Sequence, residues 1–78
     1  MDDAMVSVIK SHVESELAKL PEGEKYYSEE TGDFRDMFDI GPGTDLADEL
    51  VPALKRSGLT VELTDEEGEE FIVFSRKA

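Results

Sequence analysis

Seventy-eight residues give length for one domain, 1–78, and none for a linker and a second core. Twenty Asp and Glu against eight Lys and Arg leave a formal net charge of −12, which repels DNA, RNA and anionic lipid and argues against direct binding to any phosphate polymer or membrane. The absence of cysteine excludes disulfides, thiolate metal sites and a thiol nucleophile.

The charge is spread along the chain. Residues 1–43 carry 11 acids and 4 bases, and residues 44–78 carry 9 acids and 4 bases. An acidic tail would concentrate the excess, so the folded surface itself is expected to be negative. Met1-Asp2-Asp3 lacks the basic start of a signal peptide, and no apolar run approaches the roughly 20 residues that span a bilayer. The expectation is a soluble, cytoplasmic protein, in the host cytoplasm if a phage encodes it.

Asp2 and Asp3 open a helical pattern in which Val6, Ile9, Val13, Leu17 and Leu20 form one apolar stripe, ended by Pro21 and Gly23. His12 sits beside the stripe. It reads as a boundary histidine packing its ring edge, since no second His is present to complete a metal pair. Lys25-Tyr26-Tyr27-Ser28 suits a short strand, and Glu29-Glu30-Thr31-Gly32 breaks that pattern. Phe34, Met37 and Phe38 stand at helical spacing, with Thr31 or Asp33 as N-cap. Phe34, Phe38 and Ile40 also fit an alternating strand, and the short helix is preferred.

Gly41-Pro42-Gly43 marks a break, after which Thr44 is expected to cap a helix carrying Leu46, Leu50, Ala53 and Leu54. Pro52 lies inside it and predicts a kink or split near Val51. Gly58 stops it behind Lys55 and Arg56. Leu59, Val61 and Leu63 alternate with Thr60, Glu62 and Thr64 as a half-buried strand, and Asp65-Glu66-Glu67-Gly68 supplies a turn. Phe71-Ile72-Val73-Phe74 returns as a strand apolar on both faces. Such a strand asks for cover on both sides and a neighbour at each edge.

The fold class is therefore α+β: helix, short strand, short helix, helix and C-terminal β-hairpin. This order resembles the winged-helix arrangement, in which the first strand pairs with the last and the hairpin is the wing. Leu54-Lys55-Arg56-Ser57-Gly58-Leu59, followed by the hairpin, carries the likeness. In winged-helix DNA binders the helix before the hairpin enters the major groove. Here that helix presents Asp45, Asp48 and Glu49, and the wing presents Asp65, Glu66, Glu67, Glu69 and Glu70. Only Lys55, Arg56, Arg76 and Lys77 are placed to meet phosphate, so DNA binding does not carry over. Gly43-Thr44-Asp45-Leu46 resembles the attachment loop of acyl carrier proteins. That loop needs a serine where Asp45 stands, and the C-terminal strands contradict an all-helical carrier.

No P-loop, G-x-S-x-G, H-E-x-x-H or G-x-G-x-x-G occurs, and Asp65–Glu70 lacks EF-hand spacing. Asp33, Asp36 and Asp39 drift around a helix as a solvated face. The expectation is a non-enzymatic binding protein without metal or cofactor. Same-face side chains on a strand repeat about every 6.6 Å, close to two rises of about 3.4 Å between phosphates. Glu62 and the 65–70 cluster, with Asp45, Asp48 and Glu49, would thus present carboxylates at phosphate-like separations. In size, charge and lack of catalytic equipment the chain looks like small phage-encoded anti-CRISPR and anti-restriction inhibitors. That resemblance implies a nucleic-acid mimic whose partner is a nucleic-acid-binding protein. One alternative is an acidic winged-helix-like interaction module using Tyr26 or Tyr27, with Phe34 and Phe38 closing the core. The other is a halophile domain whose acidity is a solvation adaptation, although Lys (5) outnumbering Arg (3) runs against it.

Overall fold

The computed structural model describes residues 2–76. Helix α1 spans Asp3–Ala18, and Asp2 caps it by accepting a hydrogen bond from the Ala4 amide at 3.0 Å. The apolar stripe faces inward: Ile9, Val13 and Leu17 are buried, and Val6 and Leu20 pack half-buried beside them.

Strand β1 covers Tyr26–Glu30 and helix α2 follows at once over Thr31–Met37. Two expectations change here. The strand runs on through Glu29 and Glu30, because both pair with the apolar strand described below. The N-cap of α2 is Glu30, with no side-chain cap, so neither Thr31 nor Asp33 performs that role. The short helix itself is present and buries Phe34. It ends where Asp39 takes φ 53°, with the Ile40 amide donating to Arg35 O at 2.8 Å. A Schellman turn thus closes around an aspartate, one of the few residues with a side chain that visits this region readily.

Asp45, rather than Thr44, caps the next helix. Its backbone is extended and its Oδ1 accepts from the Asp48 amide at 2.9 Å. One turn of π-helix covers Leu46–Leu50 and α3 continues over Val51–Arg56. The change at Val51 has its cause in Pro52, which lacks an N–H and crowds the carbonyl one turn back. The preceding amides shift to wider rings, Leu50 N to Asp45 O at 3.1 Å and Val51 N to Leu46 O.

At the far end Gly58 takes φ 105°, the Gly58 amide donates to Lys55 O at 3.0 Å and the Leu59 amide to Leu54 O at 3.1 Å. Leu59 packs half-buried against the core cluster to which Leu54 belongs. Gly58→Ala is expected to cost about 1–2 kcal/mol, since an L side chain is strained there. Urea denaturation measures it, and an unchanged midpoint would contradict the motif.

Strands β2 (Thr60–Glu66) and β3 (Glu69–Ser75) form the hairpin. The sheet order is β1-β3-β2, antiparallel throughout, so the last strand in sequence is the middle one in space. The arrangement is α+β, with the N-terminal helix first and the hairpin last, and the first strand pairs with the last. Ile72 and Phe74 point into the core with Val61, Leu50, Leu54 and the α1 stripe. All helices lie on that face. The shortest dimension, 19 Å, holds one sheet and one helix layer at about 10 Å each. The expected neighbours at both edges of β3 are therefore present, but cover exists on one side only.

Candidate interaction surface

The hairpin turns on two residues, Glu67 and Gly68, with φ 52° and 83°. Two successive positive φ values suit the right-handed twist of a tight hairpin, and Asn-Gly is the usual solution. Glutamate in that position is strained by about 1–2 kcal/mol. The registers Asp65↔Glu70 and Glu66↔Glu69 place like charges directly opposite one another. Such partners stand about 4.5–5.5 Å apart at Cβ and are destabilising. With Glu67, five exposed carboxylates crowd the tip. Glu62, opposite Val73, continues the acidic row towards the sheet centre.

The helix contribution differs in kind. Asp45 is spent on its cap, and Glu49 Oε2 accepts from the Asp45 amide at 3.0 Å. Of the three helix carboxylates assigned to a partner, Asp48 is the one whose side chain has no such task. The wing and the start of the helix are thus two separate acidic features.

The tyrosines divide as alternation demands. Tyr26 stands on the open face of the sheet, 63% exposed, while Tyr27 turns towards the helices. Its ring stacks on Phe74 at 5.9 Å between centroids, Phe74 contacts Phe34 at 5.8 Å, and Phe34 contacts Phe38 at 4.9 Å. His12 closes the circle, edge-on to Phe38 at 5.3 Å and to Tyr27 at 5.8 Å. Five rings from α1, β1, α2, β3 and the residue after α2 form one closed aromatic circuit. Aromatic spacing alone could not announce it, because its members come from distant parts of the chain.

The Tyr27 hydroxyl donates its one hydrogen to Glu29 Oε2 at 2.8 Å. It must therefore accept from His12 Nε2 at 2.9 Å, which places that hydrogen on Nε2 of the histidine. Burial, then the bond to Glu29 and the negative charges of Glu29 and Glu16, push the phenol well above its ordinary value near 10. A raised pKa stabilises the fold while the phenol stays protonated. That contribution is full below about pH 10 and declines above it, where the unfolded chain releases the proton and the native state keeps it. Tyr27→Phe should cost about 1 kcal/mol at neutral pH, and its melting deficit should shrink as pH rises above 10. A deficit constant to high pH would contradict the network.

Two of the cations are internal fasteners. Arg35 donates to Gly41 O at 2.9 Å and Thr44 O at 3.0 Å, clamping the loop before the third helix. Arg76 donates to Leu17 O at 2.8 Å and Leu20 O at 3.0 Å, satisfying the end of α1 from 59 residues away. Lys77 lies outside the described residues. Among the described residues one ion pair forms, Lys19 with Glu16 at 4.0 Å. The acidic surface is therefore left almost wholly unneutralised by the protein's own bases.

No protein-family model matches the chain, and neither does any curated protein or solved structure. The reading of the site rests on its geometry. Among the described residues no group of three or more His, Asp or Glu converges to hold a metal ion, and no polar side chain is fully buried. One surface concavity, about 420 Å³, is an open groove between α1 and the start of β2, lined by Lys10, Glu14, Leu17, Leu59 and Arg76 among others. It contains none of the candidate carboxylates. No described helix is long and apolar enough to cross a membrane.

Proposed function

We propose that this protein is a non-enzymatic binding protein that occupies the basic nucleic-acid site of a partner, using carboxylates in place of phosphates. The observation that carries the reading is the wing tip. Two like-charge pairs face each other across the hairpin and Glu67 holds a backbone conformation that glycine or asparagine would adopt more easily. Each of these opposes stability, and strained or self-repelling features are retained where something outside the fold rewards them. Asp48 on the helix and Glu62 on β2 extend the acidic surface. Association with a basic groove would be fast and salt-sensitive, because charge steers the encounter. The test is competition: tagged protein retains a nucleic-acid-binding protein from lysate, and excess duplex DNA or RNA displaces it. Retention indifferent to both competitors overturns mimicry.

A second reading is favoured by a different observation, the even spread of charge with a single ion pair among the described residues. Acidity would then serve solvation in concentrated salt. Cooperative melting in ordinary buffer, with no gain in molar salt, counts against it.

A further inference from the structure

The face of the sheet turned away from the helices has no covering layer. Central strand β3 sends Ile72 and Phe74 into the core and, by alternation, Phe71 and Val73 to this open side, where they are half-buried. Register places exposed Tyr26 in the next row, beside Ser75. A short apolar ridge thus runs along the middle strand from Phe71 to Val73 and ends diagonally at Tyr26 on edge strand β1, on an otherwise polar sheet face. Carboxylates stand on either side of it. Glu30 neighbours Phe71 on β1, Glu62 neighbours Val73 on β2, and the Glu66–Glu69 pair closes the end towards the turn. Glu30 and Glu62 are separated by two strand spacings across and two residues along, roughly 12 Å.

We infer that this face is a docking site for a basic amphipathic helix of a partner protein. A helix about 10 Å across fits between Glu30 and Glu62 with its apolar stripe on Val73, Phe71 and Tyr26, and Lys or Arg on its flanks reach the two carboxylates. Charge selects this occupant. A second copy would bring Glu30, Glu62, Glu66 and Glu69 against their own counterparts on a chain of −12, and an anionic lipid surface is repelled in the same way. The site deepens the reading above, since it rests on a partner with a basic surface. It adds an apolar anchor that slows dissociation, while the charges govern the encounter.

The experiment uses the full chain and two synthetic peptides of one Leu/Lys composition, one patterned as an amphipathic helix and one scrambled so that no apolar stripe forms. Amide shifts are followed by NMR at moderate salt. The patterned peptide should bind with shifts centred on Tyr26, Phe71 and Val73, and the scrambled one about tenfold more weakly. Tyr26→Ser and Val73→Thr, both mild at a strand surface, should each reduce affinity for the patterned peptide several-fold without altering the far-UV spectrum. Equal binding of the two peptides, shifts confined to the wing tip or to the helices, absence of binding, or a dimer formed through this face without peptide would each overturn the inference. Displacement by duplex DNA is scored separately. Peptide failure with DNA competition intact removes this site alone, and peptide binding without DNA competition removes mimicry alone.

Discussion

Phe74→Ala is expected to remove a large share of the domain's stability in water at room temperature. Phe74 is fully buried, lies on the middle strand and touches both Tyr27 and Phe34 in the aromatic circuit. Removing a buried phenylalanine costs about 3–5 kcal/mol. A chain of 78 residues holds roughly 4–12 kcal/mol at 0.05–0.15 per residue, and this one spends part of that on self-repulsion. Far-UV circular dichroism and urea denaturation report the loss. Phe74→Leu, which keeps most of the volume, should cost less than about 1.5 kcal/mol, and Tyr26→Ala on the open face should stay within about 0.5. Equal midpoints for Phe74→Ala and Tyr26→Ala would mean that the core is not built on β3.

Neutralising the wing should move stability and binding in opposite directions. Asp65→Asn, Glu66→Gln, Glu69→Gln and Glu70→Gln together remove both facing pairs and take the net charge from −12 to −8. Each pair removed should return about 0.2–1 kcal/mol, so the variant melts higher at low ionic strength and the difference fades as salt screens the parent. If the wing occupies a basic site, the same variant should associate ten- to a hundredfold more slowly with its partner. A more stable variant that still binds normally removes the wing from the contact. A variant that is less stable in concentrated salt than the parent favours acidity as solvation.

The sequence made the sheet legible through one strand. Phe71–Phe74 is apolar on both faces, which demands a central position, and the position of the other two strands follows. The α1 stripe and the Gly58 stop were equally plain, because periodicity and a missing Cβ are local properties. What escaped was relational. By residue preference the strand ends at Ser28, since Glu29 and Glu30 are poor strand formers, yet pairing with β3 holds them extended. Asp45 outcompeted Thr44 as a cap because the chain straightens one residue later than the Gly-Pro-Gly break suggests. Of the candidate site, the acidic wing could be read directly, whereas the internal duties of Tyr27, Asp45 and Glu49 depend on neighbours that only the fold supplies. The internal bonds of Arg35 and Arg76 carried no signal, and Arg76 read instead as a cation free to meet phosphate, since their partners are backbone carbonyls of remote turns.

The order in which the strands pair has a consequence for biosynthesis. Strands β1 and β2 never touch; each finds its hydrogen bonds on β3, whose pairing ends at Ser75. Until that residue has left the ribosome, the nascent chain has no complete sheet, its aromatic side chains lack their full floor, and α1 lacks the Arg76 clasp. Sheet formation is therefore a single event that waits on β3, and whatever holds the emerging chain must tolerate two orphan strands until β3 has emerged. An acidic chain bears that wait better than a neutral one, because like charge keeps neighbouring nascent copies apart.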